Sequence, residues 1–144
     1  MKFTKTTVAA RFENHNNKEL TDCVVDGYEF TLPGTHFKFV VHKSITAVRE
    51  GETRAIRWFK LDKRSWRVTE PHTGKHTGGG FPDTRGEAVD NTVGRALAQG
   101  TDALSDLIIK GMANKQEATG TYRLTTGKKP RCTNLTTGEI IWEG

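Results

Sequence analysis

The sequence predicts an α+β fold: an antiparallel β-sheet meander of about six strands, then two helices and a polar C-terminal hairpin. Three observations predict it. Short runs rich in Val, Phe, Trp and Thr, separated by turn residues, fill roughly the first eighty positions. Apolar residues at helical spacing follow, and the last part of the chain is extended and polar. No repeat or linker divides the 144 residues, so residues 1–144 are expected to form a single domain.

The strands come first in chain order. Alternation of large and polar residues around the turn Pro33-Gly34 predicts a hairpin of residues 28–32 and 36–42. The stretch 44–48 fits either a short strand or a turn of helix, and Lys63-Arg64 marks a turn. The other predicted strands are 2–12, 20–25, 56–61, 66–69 and 75–79, the last two paired across residues 71–74.

Two helices are predicted next. Thr84 and Glu87 form a T-x-x-E capping box, and Gly100 ends the first helix. Thr101-Asp102 is expected to cap the second helix. The apolar positions are Ala88, Val89, Thr92, Val93, Ala96 and Leu97 in the first helix, and Leu104, Leu107, Ile108 and Met112 in the second. A final hairpin is expected over residues 134–142 around Thr137-Gly138.

Composition narrows the class of protein. Twenty-two basic against seventeen acidic residues give a net charge of +5 and a pI near 9.4, which favours anionic partners. A plain solvated basic surface is the alternative. Cys23 and Cys132 lack metal-site spacing and are expected to be reduced thiols, with a disulfide between them as the alternative. No signal peptide or membrane-spanning apolar run is visible, so a cytoplasmic location with no membrane partner is expected.

The stretch 66–91 concentrates the features that suit ligand binding. Gly78, Gly79 and Gly80 would let backbone approach a ligand beside a helix N-terminus, which attracts anions. A sheet edge that needs small residues explains them equally well. Phe81 follows as a ring for stacking. The ligand-binding candidates here are Gly79, Gly80, Phe81, Thr84, Arg85 and Asn91, with Arg85 as a phosphate clamp and Asn91 reading a polar edge.

Catalytic signatures are missing from the sequence. No nucleophile–base pair, metal cluster or close pair of carboxylates is visible, so we expect no catalytic residues, no metal, no cofactor and no enzymatic activity. His72 and His76 flank one turn and are the fallback candidates for catalysis. A basic segment around Trp58, with Arg54, Arg57 and Lys60, is a nucleic-acid cue, although a basic outer sheet face is its commoner cause.

The segment from Gly78 to Asn91, G-G-G-F-P-D-T-R-G-E-A-V-D-N, resembles the phage Thoeris anti-defence proteins of the first type. The order of sheet and helices and the chain length add to this resemblance, which covers most of the chain. The tail after about Asn114 is longer and more polar than in that family. The resemblance implies a sponge that holds a nucleotide second messenger of bacterial immunity without cleaving it, in the cytoplasm of an infected bacterial host.

The resemblance also implies ligands and assembly. Phe81 and Asn91 match the aromatic ring and asparagine with which the family binds glycocyclic ADP-ribose. Arg57 matches an arginine that some members use to hold a cyclic oligonucleotide at a separate site. The expected assembly is a homo-oligomer in which dimers assemble into a hexamer. No nucleic-acid partner is expected. The rival interpretations are a small basic nucleic-acid-binding protein and a protein that inhibits a host enzyme.

Overall fold

The computed structural model describes residues 1–14, 18–52, 55–78, 80–126 and 129–144. Within these ranges the chain forms eight strands and two helices. In chain order they are β1 (Thr4–Glu13), β2 (Leu20–Thr31), β3 (Lys38–Glu50), β4 (Ala55–Thr69), β5 (His76–Thr77), α1 (Arg85–Gln99), α2 (Thr101–Ala113), β6 (Gly120–Thr125), β7 (Arg131–Asn134) and β8 (Ile140–Glu143).

The predicted α+β antiparallel meander is wrong. The protein is mostly β, with a curled mixed sheet of order β5-β4-β3-β2-β6-β7-β8, and β1 on the other edge of β2. β2 and β6 run parallel, from Thr21 opposite Gly120 to Val24 opposite Arg123. β3 pairs only with residues 28–31 of β2, so the first half of that edge is open to β6. The helices are therefore inserted within the sheet sequence instead of following it.

β4 is longer than the sequence suggests. The expected turn at Lys63-Arg64 is wrong, because the chain continues as one strand through both residues. The pairing of β3 with β4 shifts register between Lys43 and Ile45, which marks a β-bulge. Asp62 Oδ1 accepts hydrogen bonds from the backbone N–H groups of Arg64 at 2.9 Å and Ser65 at 3.2 Å. The carboxylate thus satisfies donors at this irregularity, and those bonds lower the pKa of Asp62.

Apolar side chains cover both faces of the sheet. One cluster lies between the sheet and the helices and includes Phe30, Phe39, Val41, Val68, Val89 and Leu104. The other lies inside the curl and includes Val8, Cys23, Val25, Val40, Phe59, Leu124 and Cys132. Both cysteines are buried and free, and burial raises the pKa of each thiol. The curl thus gives the protein two cores on opposite faces.

Local signals place several elements correctly. Thr84 is the N-cap of α1 and its hydroxyl accepts from the Glu87 N–H at 3.1 Å. Gly100, with φ of 89°, ends α1 as expected. It also precedes α2 directly, and no side-chain cap from Thr101-Asp102 forms. Neither helix, in the part of the chain that the structure describes, is long and apolar enough to cross a membrane.

The three predicted hairpin connections are confirmed. Gly34 has φ of 76° in the turn between β2 and β3. Residues 70–75 join β4 to β5, which pair antiparallel with Thr69 opposite His76. The C-terminal hairpin turns at Gly138, with φ of 77°, and joins β7 to β8 as the end of the main sheet. Gly, Pro and Asn signals over a few residues therefore predicted turns reliably.

Candidate functional site

The segment after β5 stays beside β4. The backbone N–H of Trp66 donates to the Pro82 carbonyl at 2.9 Å, so residues 80–82 run along the strand. Gly78 and Gly80 have φ of 73° and 72°, a conformation that favours glycine. A Cβ at Gly78 would lie 3.1 Å from Thr92 Oγ1, so close packing of α1 also requires a small residue there. The candidate Gly79 lies outside the described residues.

Phe81 presents its ring at the surface. The side chain is 72% exposed, which is unusual for a phenylalanine. The Arg67 guanidinium lies over the ring, 4.5 Å from its centroid, in a cation–π contact. Arg67 lies near the end of β4 and directly follows Trp66, whose backbone N–H donates to the Pro82 carbonyl. An exposed aromatic platform with a cation beside it suits the stacking of a base near a phosphate.

Asn91 borders the same region from α1. It lines a narrow recess together with Trp66, Arg67 and Gly80. The volume of this recess is about 10 Å³, which is room for roughly one water molecule. The structure thus brings Gly80, Phe81 and Asn91 around Arg67, but they do not enclose a nucleotide within one chain.

The remaining candidates are placed differently. Thr84 is exposed and its hydroxyl is used in the helix cap. Arg85 lies between two rings, with its guanidinium 4.7 Å from the centroids of Phe3 and of Tyr28. This contact gives Arg85 a structural role at the start of α1. Arg57 belongs to β4, and its side chain lies outside the described part of the structure.

A larger cavity opens inside the curl of the sheet. We call it the basic cavity; its volume is about 650 Å³. It is lined from β1, the start of β2, β3, β4, the 70–75 turn, β5, the end of α2 and the segment after it. The titratable side chains on its wall are Arg11, Glu13, His42, Arg67, Lys75, His76 and Lys115. None of these side chains is among the binding residues that the sequence predicts. The sequence pattern that could have indicated Arg67 is the strand alternation in W-R-V-T. Alternation places Arg67 and Thr69 on the face of the sheet opposite Trp66 and Val68.

Positive charge dominates the basic cavity. Arg11 is neutralised by Asp22, with 2.6 Å between Nε and Oδ1. None of the ion pairs among the described residues involves Arg67, Lys75 or Lys115. Burial lowers the pKa of the Arg67 guanidinium, and burial followed by the charge of Arg67 lowers the pKa of His76. The wall thus holds more cations than it can pair internally.

His42 forms the buried floor of this cavity. Its Nδ1 lies 2.7 Å from the Lys43 carbonyl oxygen and its Nε2 lies 2.7 Å from Thr69 Oγ1. A carbonyl can only accept, so Nδ1 carries the proton and Nε2 accepts from the threonine. Burial is the main reason that the pKa of His42 falls to about 4. The floor is therefore polar but neutral.

A second cavity, of about 390 Å³, lies between the two helices and β5. Its floor includes the apolar side chains of Phe39, Leu104 and Ile108. Thr73, Lys75 and His76 line both this cavity and the basic cavity. The 73–76 segment therefore forms a shared wall between an apolar space and a cationic one.

Glu70 holds the adjoining turn together. This buried carboxylate accepts from the His72 N–H at 2.8 Å and from the Thr73 N–H at 3.2 Å. His72 Nδ1 lies 3.0 Å from the same carboxylate. Both oxygens of Glu70 are thus committed to backbone and side-chain donors of its own turn, which makes it a structural carboxylate.

The chemistry that this arrangement suits is binding. It offers an exposed ring, an unpaired guanidinium, lysines and hydroxyl groups, whereas His42 and Glu70 are engaged in structural hydrogen bonds. Within the described residues, no group of three His, Cys, Asp or Glu side chains is arranged to hold a metal ion. No protein-family model, curated protein or solved structure matches the chain.

Proposed function

We propose that the protein binds a cyclic ADP-ribose-type nucleotide messenger and sequesters it uncleaved, as an anti-defence sponge in the cytoplasm of an infected bacterium. The observation that carries the proposal is the exposed Phe81 ring with Arg67 at 4.5 Å. The ring supplies a stacking surface for a base, and the guanidinium supplies a partner for a phosphate. Asn91 and Gly80 border the same recess and are the polar contacts of the proposed site.

The small recess also supports a site that needs a second copy of the chain. A ligand on Phe81 would stay largely exposed in a single chain, whereas small-molecule sites bury most of their ligand. We therefore place the proposed messenger at a subunit interface, between the Phe81 rings or between one ring and a neighbouring surface. This requires a homo-oligomer, for which dimers assembling into a hexamer are the expected form.

Phe81→Ala is the direct test of the site. Stacking of a base contributes about 1–3 kcal/mol, so affinity for the messenger should fall by about 5- to 150-fold. Isothermal titration calorimetry with glycocyclic ADP-ribose measures it. The ring is exposed, so the fold should be unaffected. Phe81→Tyr keeps the stacking surface and should bind as the wild type does. Equal affinity in the alanine and tyrosine variants would remove Phe81 from the site.

Sequestration without cleavage makes a separate prediction. His42 and Glu70 are held in hydrogen bonds of the fold, and this supports the absence of general acid–base chemistry. Messenger incubated with stoichiometric protein should return intact after heat denaturation and chromatography. Accumulation of a linear or hydrolysed product beyond one equivalent would contradict the sponge. His76, which lines both large cavities, would then be the first residue to mutate, with His72 second.

A further inference from the structure

The basic cavity places a guanidinium and an imidazole side by side on one face of the sheet. Arg67 lies directly opposite His42 in the pairing of β3 with β4. His76 lies directly opposite Thr69, two residues further along β4. Side chains of Arg67 and His76 are therefore diagonal neighbours, at a separation that one phosphate group can bridge.

Other cations approach from outside the sheet. Lys115 lies just after α2, and its Nζ donates to the His72 carbonyl at 3.2 Å, which holds the chain against the 70–75 turn. Lys75 lines the cavity from that turn. Glu13 is the one carboxylate among the described lining residues, and it lies exposed at the rim. Donors from four separate segments thus line a space whose one described carboxylate lies at the rim.

We propose that the basic cavity binds the phosphate or pyrophosphate group of a small phosphorylated metabolite, with Arg67, His76 and Lys115 as its ligands. An arginine fork matches two phosphate oxygens at once, and a lysine adds a point charge. Thr69 and the buried His42 form the floor below them. This site shares Arg67 with the messenger platform but is otherwise distinct from it, because His76 and Lys115 neither contact Phe81 nor line the recess at Asn91.

The size of the cavity favours a small molecule over a polymer. A volume of about 650 Å³ lies within the range of pockets for metabolites and nucleotides. The walls from β1 and from the segment after α2 meet where Arg11 Nη1 donates to the Gln116 carbonyl at 2.7 Å. The Arg11 N–H also donates to Gly74 O at 2.7 Å. These bonds close one side of the cavity, which suits a compact ligand better than a continuous strand of nucleic acid.

Calorimetry of the full chain with sodium pyrophosphate tests the proposal. Arg67→Gln and Lys115→Gln should each weaken binding roughly tenfold or more, because each removes a charge-assisted hydrogen bond. Lys60→Gln is the matched control: it removes one positive charge from an exposed position of β4 that lines none of the three cavities. It should bind as the wild type does. Circular dichroism checks that each variant is folded.

A second readout follows the ring of His76. Burial and the nearby Arg67 hold the pKa of His76 below its usual range, and a bound anion between the two should raise it. Titration of the ring by NMR, with and without pyrophosphate, measures this shift. Arg67→Gln and Lys115→Gln variants that bind like Lys60→Gln would overturn the proposal, as would a His76 pKa that pyrophosphate leaves unchanged.

Further experiments distinguish pyrophosphate binding in the basic cavity from messenger binding at Phe81 and from binding of nucleic acid. Phe81→Ala should retain pyrophosphate affinity, so that loss of messenger binding and loss of pyrophosphate binding report on different sites. ADP should compete with pyrophosphate if the metabolite is a nucleotide, whereas inorganic phosphate alone should compete more weakly. A single-stranded oligonucleotide that binds at the same stoichiometry, and that pyrophosphate does not displace, would overturn the assignment to a small molecule.

Discussion

His42 shows how one buried residue couples the stability of the protein to pH. The ring is almost fully buried, and in its neutral form Nδ1 donates to the Lys43 carbonyl and Nε2 accepts from Thr69. Burial lowers the pKa of His42 most; the hydrogen bond to the Lys43 carbonyl raises it, and Arg67 and His76 beside the ring lower it further. The neutral ring is therefore part of the folded state.

The free energy of unfolding should decrease as the pH falls from about 6.5 towards about 4. In this window the unfolded chain binds a proton at His42, with its ordinary pKa of 6.5, while the folded chain does not. Above the window the contribution is fully present. Between pH 7.5 and pH 5 the loss is on the order of 2 kcal/mol. Urea denaturation at the two pH values measures it, and the lowered pKa of His76 acts in the same direction.

His42→Gln is the control for this effect. Glutamine keeps a donor and an acceptor but does not titrate, so the variant should lose most of the difference between pH 7.5 and pH 5. A variant that retains the full difference would show that other groups cause it.

At the scale of elements, β2 needs a glycine where β3 crosses it. A Cβ on Gly27 would lie 2.6 Å from the Val41 carbonyl oxygen and 2.7 Å from Val40 Cγ1. The first of these atoms is backbone and cannot move without breaking the pairing of β2 with β3. Gly94, in contrast, lies on the exposed side of α1 with open space around it.

Gly27→Ala and Gly94→Ala should change stability in opposite directions. Overpacking at Gly27 should lower the free energy of unfolding by about 1–3 kcal/mol. In α1 the same substitution should raise it by up to about 1 kcal/mol, because alanine favours helix. Urea denaturation at pH 7.5 compares the two. A Gly27→Ala protein as stable as the wild type would mean that β2 and β3 lie further apart than the 2.6 Å approach to the Val41 carbonyl oxygen implies.

The same contrast explains what the sequence predicts at this scale. Capping by Thr84, the end of α1 at Gly100 and the turns at Gly34 and Gly138 depend on a few neighbouring residues, so their signals are local. The strand through Lys63-Arg64 could not be predicted in this way. The charged pair is typical of a turn, but the Asp62 side chain accepts a hydrogen bond from the Arg64 N–H and the strand continues. The β2–β6 pairing is different again, since nothing in residues 21–24 identifies a partner a hundred positions away.

At the scale of the whole molecule, apolar side chains on the helices lack cover. Those exposed on α1 and α2 are Leu97, Leu107, Ile109 and Met112. Ile109 and Met112, three residues apart, lie on one face of α2, and an exposed apolar face of this kind favours an interaction surface. The candidate site also combines local and long-range signals. Phe81 could be selected from the sequence because it is adjacent to glycines. The basic cavity was not, because Arg67, His76 and Lys115 come from separate elements that only the tertiary fold brings together.

We predict a homo-oligomer with an even number of subunits. Sedimentation velocity at micromolar concentration measures its size, and a monomer would contradict both the assembly and the proposed interface for the messenger. Met112→Glu should shift the distribution towards smaller species, because it places a charge beside Ile109 on the exposed apolar face of α2. Leu135→Glu changes an equally apolar exposed residue on the C-terminal hairpin and should leave the assembly unchanged.

The parallel pairing of β2 with β6 has a consequence for synthesis. Val24 and its partner Arg123 are 99 residues apart, so a ribosome adding about 5–20 residues per second needs roughly 5–20 seconds between them. During that interval β1 and β3 can already pair with β2, but half of one β2 edge still presents unpaired N–H and C=O groups. The nascent chain therefore passes through a stage that can recruit a foreign strand, and the arrival of β6 ends it.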